Sequence, residues 1–399
     1  VDRLEILVQV AVAFGAARLL GASLERIGIP SIVGQILAGI LVGPSVLGIV
    51  EHSALLEALA ELGVVVLLFL AGLETHLQSL FRSWVPAVRV GSLGIILPFA
   101  AGLATGYLFG YQLTDNLFIG TALVATSVGI TVSVLRQLGY SERYSMNIVL
   151  GAAVLDDILG LIILALVQSI AIGSFQVLQF ILLIIKASAF LALTVYAGPK
   201  VIERIQTTIR RLPEQLVTDM AFVLMLGLAL LAQWIGLAAI VGAFVAGLML
   251  AKVRHFAPLE RTFEPVAYFL VPFFFINVGS FLEPGIFLQP RALAQIALFT
   301  ALAVASKFLG AYFGARAEGK QIAAEVGVAM VPRGEVGIVV ASIALSAGAI
   351  DNDLYGVVVA VVILTTVAAP FLIRWIYERT PVNEHPGSRG VATENSVEG

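Results

Sequence analysis

Asp156 and Asp157 stand side by side inside a run apolar enough to cross a bilayer, GAAVLDDILGLIILALV within residues 146–170. A carboxylate at the centre of a bilayer costs about 3 kcal/mol on insertion scales, so it is kept where it works or is paired. Two in succession make a proton or cation site the leading reading. Lys307, about fifteen residues into its own apolar run, places an ammonium near the same depth. Two more runs carry helix-weakening sequence at that level, Ala125-Thr126-Ser127-Val128-Gly129-Ile130-Thr131 and Val331-Pro332-Arg333-Gly334-Glu335-Val336-Gly337. A broken helix frees backbone carbonyls for a cation and aims half-helix ends at the midplane, where the charges of Arg333 and Glu335 can offset their dipoles.

Each feature also has a structural alternative. The aspartates can act as a hydrogen-bonding device, and Lys307 can serve only to neutralise one of them. Pro332–Gly334 can be a packing kink, with Arg333 and Glu335 cancelling locally. Thr126 and Ser127 can bond carbonyls of their own helix. Consecutive helical residues diverge by about 100°, so one aspartate is expected to face a cavity and the other a neighbouring helix. Glu74, near a helix end, reads as a solvated boundary residue, and Gln35 and Asn277 are weak cavity candidates.

The elements that must position these groups are membrane helices. The chain of 399 residues is 59% hydrophobic and 12% charged, with a mean hydropathy of +1.01. That composition excludes a soluble globular protein. A net charge of −3 gives no reason to expect nucleic acid, and the absence of cysteine excludes disulfides. The start at Val1 reads as a trimmed initiator, and no cleavable signal is expected because the first apolar run leads straight into the bundle. Breaks at Gly, Pro and charge predict about thirteen spans: 4–24, 30–49, 58–79, 85–109, 117–138, 146–170, 177–206, 214–235, 238–252, 264–282, 292–315, 322–347 and 353–378. Arginine and lysine gather on alternate connections, among them Arg26, Arg82, Arg136, Arg143, Lys200, Arg204, Arg316 and Lys320, while Arg3 and Arg291 fall on the other side. The positive-inside rule then predicts an external N-terminus and a cytoplasmic C-terminus. The tail 381–399 is polar and expected to be disordered.

Ile32-Val33-Gly34 with Ala38-Gly39 recurs as Ile240-Val241-Gly242 with Ala246-Gly247, an offset of 208 that nearly superposes Gly72 on Gly279 and Ser127 on Gly334. Helix packing through small residues can produce such pairs by chance. Read as a repeat, the chain has two sets of helices separated by one linker helix, with equivalent helices oppositely oriented. Secondary transporters commonly use that inverted topology, and paired interruptions in the two halves point to the binding site.

The segments ALVATSVGIT (122–131), LGAAVLDDILGLI (150–162), ASKFLGA around Lys307 and MVPRGEVGIVVA (330–341) carry a family resemblance. The chain resembles bacterial sodium (or potassium)/proton antiporters of the monovalent cation:proton antiporter-2 family, especially the NapA type, from about residue 4 to 378. The resemblance implies that Asp157 binds the cation (Na⁺ or K⁺) or protons in alternation. Asp156 would contribute to that site and pair with Lys307. Thr126, Ser127 and Gly129 would lie in the unwound stretch beside it, with Pro332, Arg333, Gly334 and Glu335 at the other crossing. It implies a scaffold of 1–82 and 213–284, a moving core of 83–172 and 285–380, and a linker helix in 173–212. It further implies a homodimer through the first helix (Gly15, Ala16, Ala17), an inner-membrane location and no cofactor beyond the transported ions. The Asp-Asp pair with a lysine looks like the electrogenic exchangers. Kef-type potassium exchangers share the lysine but carry Gln-Asp and a cytosolic nucleotide-binding domain, and potassium stays open as a substrate.

Other functions fit less well. An intramembrane aspartyl protease needs its two aspartates on facing helices (compare the dyad logic of soluble proteases), so no enzymatic activity is expected. A sodium-coupled organic anion symporter of related fold usually lacks a lysine paired to such a motif. A gated channel has no need of titratable groups.

Overall fold

The computed structural model describes residues 3–75, 82–172, 177–209, 211–251 and 259–380. Among the described residues all regular elements are helical. The main helices are α1 (Arg3–Arg26), α2 (Ser31–Val42), α3 (Ala54–Glu74), α4 (Trp84–Leu108), α5 (Leu113–Val124), α6 (Val128–Gln137), α7 (Tyr144–Ile172), α8 (Val177–Ala192) and α9 (Gly198–Ile209). They continue as α10 (Glu214–Ile235), α11 (Ala239–Leu250), α12 (Leu259–Ser280), α13 (Pro290–Gly314), α14 (Lys320–Ala329), α15 (Glu335–Ser346) and α16 (Asn352–Arg379). Nine stretches among these residues are long and apolar enough to cross a membrane. The protein is an all-α, multi-pass membrane protein.

Several boundaries differ from the sequence reading for local reasons. The third span begins at Ala54 rather than 58 because Ser53 caps it, its Oγ accepting from the Leu56 amide at 3.3 Å. The spans expected at 30–49 and 238–252 are helices of only 12 residues each, about 18 Å long and short of a hydrocarbon core about 30 Å thick. The single helix expected over 177–206 contains a π-helical turn at Leu193–Ala197 between α8 and α9.

Two crossings set how the helices meet. A Cβ on Gly39 would lie 2.2 Å from the Ile276 carbonyl oxygen, and one on Gly279 would lie 2.1 Å from that of Ile36, so α2 and α12 touch backbone to backbone. At the α3–α11 crossing, a Cβ on Gly72 would meet the Phe244 oxygen and one on Gly247 the Phe69 oxygen, each at 2.1 Å. The repeat offset exchanges Gly39 with Gly247 and Gly279 with Gly72, so it carries one crossing onto the other. Small residues permit this approach where lipid gives no hydrophobic drive for association.

Packing is densest within two sets of helices. The α4 helix lies against α5, α7 and α13, while α16 covers α13, α14 and α15. In the other set α3 lies between α11 and α12, α2 packs on α1 and α12, and α10 packs on α11. At the Lys320 end of the first set, Arg143 reaches Glu325 Oε1 at 2.5 Å and the Ser145 hydroxyl donates to Glu325 Oε2 at 2.7 Å. Thr380 also donates to Glu325, so this buried cluster ties α7 and α14 to the end of α16.

Candidate cation site

Two breaks build the site. The α5 helix stops at Val124 and the chain runs extended through Ala125 and Ser127 before α6 resumes at Val128. The α14 helix stops at Ala329, and Val331–Gly334 is non-helical until α15 begins at Glu335. The β-branched and hydroxyl residues of the first stretch and the proline of the second weaken a helix at these points.

The breaks cross one another. The Ser127 amide donates to the Pro332 carbonyl at 2.9 Å, and the Thr131 hydroxyl to the Ala329 carbonyl at 2.6 Å. A Cβ on Gly334 would sit 2.5 Å from Ser127 Oγ, so glycine is what lets the two strands of chain pass. Arg333 is fully buried and donates to the carbonyls of Ala125 and Ala303, both at 3.2 Å, while Thr366 donates to the Arg333 carbonyl. Its guanidinium thus satisfies a carbonyl that the end of α5 leaves without a helical partner.

Asp156 comes from the middle of α7 and is 1% exposed. Its Oδ2 accepts from Lys307 Nζ at 2.6 Å and from the Thr126 hydroxyl at 2.6 Å. Lys307 is 0% exposed and also donates to the carbonyls of Gly94 at 2.7 Å and Val124 at 2.9 Å. All three ammonium protons therefore have acceptors, which a buried charge requires. Asp156 Oδ1, by contrast, is buried with no hydrogen-bond partner.

Asp157 is partly exposed and, with Asp156, lines a cavity of about 260 Å³. Ala125, Gly160, Val336, Gln233 and the α10–α11 turn (Gly236, Leu237, Ala238) complete its wall. The two aspartates thus diverge as the helical angle requires, one turned to α13 and the other into the cavity. Beside Asp157, apolar side chains of Leu68, Val128, Ile240, Val241 and Phe244 leave almost no space. A separate cavity of about 330 Å³, lined by Glu25, Gln35, Ser133, Gln137 and Glu264 among others, lies near the Arg26 end of α1.

Asp156, Asp157, Thr126 and Lys307 are therefore gathered in one place. Ser127, Pro332, Arg333 and Gly334 form the crossing next to it. Gly129 faces away, toward Val64 of α3, where a Cβ would lie 3.2 Å from Val64 Cγ1. Glu335 opens α15, and its side chain lies outside the described residues, as does the tail 381–399. Gln35 is buried in the far cavity; Asn277 lines neither. Glu74 departs from the sequence reading: rather than a solvated boundary residue, it is ion-paired with Arg136. Its partner lies 62 residues away in sequence, so no local pattern announces the pair. The Gly94 and Val124 carbonyls and the Gln233 wall have no sequence signal of their own either.

A family model described as sodium/hydrogen exchanger, transmembrane, matches residues 12–379. The chain belongs to this family. Among its relatives, the Na⁺/H⁺-K⁺ antiporter GerN of Bacillus cereus is 36% identical over 94% of this chain and 96% of its own length. The high-affinity Na⁺/H⁺ antiporter NhaS3 of Synechocystis is 32% identical, over 96% of this chain and 92% of its own. The solved structure of the sodium proton antiporter MjNhaP1 from Methanocaldococcus jannaschii at pH 8 superposes with a TM-score of 0.67, covering 92% of this chain and 96% of that one at 16% identity. That last likeness establishes the exchanger fold.

Proposed function

We propose that this member of the exchanger family is a secondary antiporter that trades a monovalent cation for protons by alternating access. The observation that carries the proposal is the buried Asp156–Lys307 ion pair set beside Asp157 in the cavity at the two helix breaks. A proton and a cation compete for the Asp157 carboxylate. Occupancy by one excludes the other, and that exclusion couples the two fluxes. In this reading Asp156 and Thr126 contribute oxygens to the cation's shell, and Lys307 compensates Asp156. Na⁺ is the expected cation. The relative named for Na⁺/H⁺-K⁺ exchange makes K⁺ the second reading. Pulses of Na⁺, Li⁺ or K⁺ to proteoliposomes carrying an internal pH dye test the choice: alkalinisation by K⁺ alone would overturn the sodium reading.

The packing sets support a division of labour. In this reading 1–82 and 213–284 form a scaffold, 83–172 and 285–380 form the moving core, and 173–212 links them. The matched glycine crossings support an inverted repeat of two halves. The arginine bias supports an N-terminus outside and a C-terminus in the cytoplasm of a bacterial inner membrane, which puts the Asp157 cavity toward the outside. A homodimer through α1 completes the reading. That helix exposes Leu4, Leu7 and Leu19, apolar surface that fits a partner subunit or lipid.

A further inference from the structure

Arg136 belongs to α6, within the 83–172 segment read above as moving core, but its guanidinium is held by α3 and α12, which that reading assigns to the scaffold. One nitrogen pairs with the Glu74 carboxylate at the end of α3, and Nη2 lies 3.6 Å from Glu264 of α12. The neighbouring Gln137 donates to Glu25 of α1 at 3.4 Å. The Arg136–Glu74 pair is largely buried, with side chains 19% and 24% exposed. These contacts sit beside the cavity near the Arg26 end of α1, whose wall includes Ser133 and Gln137 of α6, one to three helical turns along from Val128, which packs beside Asp157. They tie α6 to α3 and α12 on the face away from the Asp157 cavity.

We propose that Arg136, held by Glu74 and Glu264, is a gating residue: an ionic latch that favours the conformation in which Asp157 opens toward the α10–α11 turn. The latch rests on the antiport reading above, because it needs the core to move against the scaffold. Sliding would part Arg136 from the largely buried Glu74 carboxylate, which is costly, and from the exposed Glu264 carboxylate, which adds little. The latch thereby biases a two-state equilibrium. Apparent affinity for a ligand scales with the fraction of protein in the competent state. Losing the latch should therefore weaken apparent cation affinity from the α10–α11 face and strengthen it from the Glu74 face. A residue that merely stabilised the fold would change both faces alike.

The cysteine-free chain allows a direct test. Single cysteines at Gln233, in the Asp157 cavity, and at Ser133, in the opposite cavity, report access to each face by maleimide labelling in membranes. In an Arg136→Gln background, labelling at 233 should slow and labelling at 133 should quicken, each by about three- to tenfold. Glu74→Gln and Glu264→Gln should move both rates the same way by less, and they serve if Arg136→Gln does not fold. Arg136→Lys should keep the parent pattern. Rates that move together, or not at all, in the folded variants would overturn the latch. Na⁺-driven proton flux is measured on the parent protein in parallel. Flux with unmoved labelling overturns the latch alone, whereas opposed labelling shifts without flux would keep the latch and overturn the antiport reading.

Discussion

At the scale of single residues the candidate site rests on the Asp156–Lys307 ion pair. Removing one member of such a pair leaves the other charge uncompensated, at a cost of about 3–5 kcal/mol. Asp156→Asn should therefore lower the thermal midpoint in detergent markedly, because Lys307 keeps only carbonyl acceptors. The double variant Asp156→Asn/Lys307→Gln should recover most of the loss. A single variant as stable as the parent would contradict the pair's role. Lys307→Gln separates two further possibilities. If Lys307 carries a transported proton, a stable Lys307→Gln protein should either stop or exchange without net charge on a solid-supported membrane. Full electrogenic current would leave the lysine as structure. Asp156, Asp157, Lys307 and Thr126 were legible in the sequence because polar groups at mid-span are costly and rare. The Arg136–Glu74 latch was not, since a carboxylate at a helix end is ordinarily solvated and its partner is brought in only by tertiary packing.

At the scale of elements the two breaks matter most. Both were legible, one from Thr126-Ser127-Val128-Gly129 and the other from Pro332-Arg333-Gly334, because those residues weaken a helix wherever they stand. Their crossing was legible only through the repeat offset, which pairs Ser127 with Gly334. The structure adds the reason glycine stands there: a Cβ would press on Ser127 Oγ at 2.5 Å. Gly334→Ala should cost about 1–3 kcal/mol, the usual range for overpacking, and displace the carbonyls beside the aspartates. Transport should fall more than stability does. Adding Ser127→Gly, which removes the clashing atoms, should restore part of the activity, and no rescue would place the defect elsewhere. The π turn at Leu193–Ala197 had no legible signal, because nothing in LTVYA distinguishes it from ordinary helix.

At the scale of the whole molecule the all-helical, multi-pass architecture follows from composition and the lengths of the apolar runs, whereas the meeting of the helices depends on glycines whose partners lie about two hundred residues away. The small residues of the short helices α2 and α11 are what let the two crossings close. Cysteines engineered along α1, near Gly15 and Leu19, should cross-link between subunits in native membranes if that helix forms the dimer seam. A purely monomeric mass in mild detergent and in membranes would contradict it. The central claim is that Asp157 holds cation and proton in turn, and one measurement reaches it most directly. Proteoliposomes with an imposed Na⁺ gradient, an internal pH dye and a valinomycin clamp should show Na⁺-driven proton movement for the parent protein and none for Asp157→Asn at equal folded yield. Sustained Na⁺-driven proton movement by a well-folded Asp157→Asn protein would contradict the account.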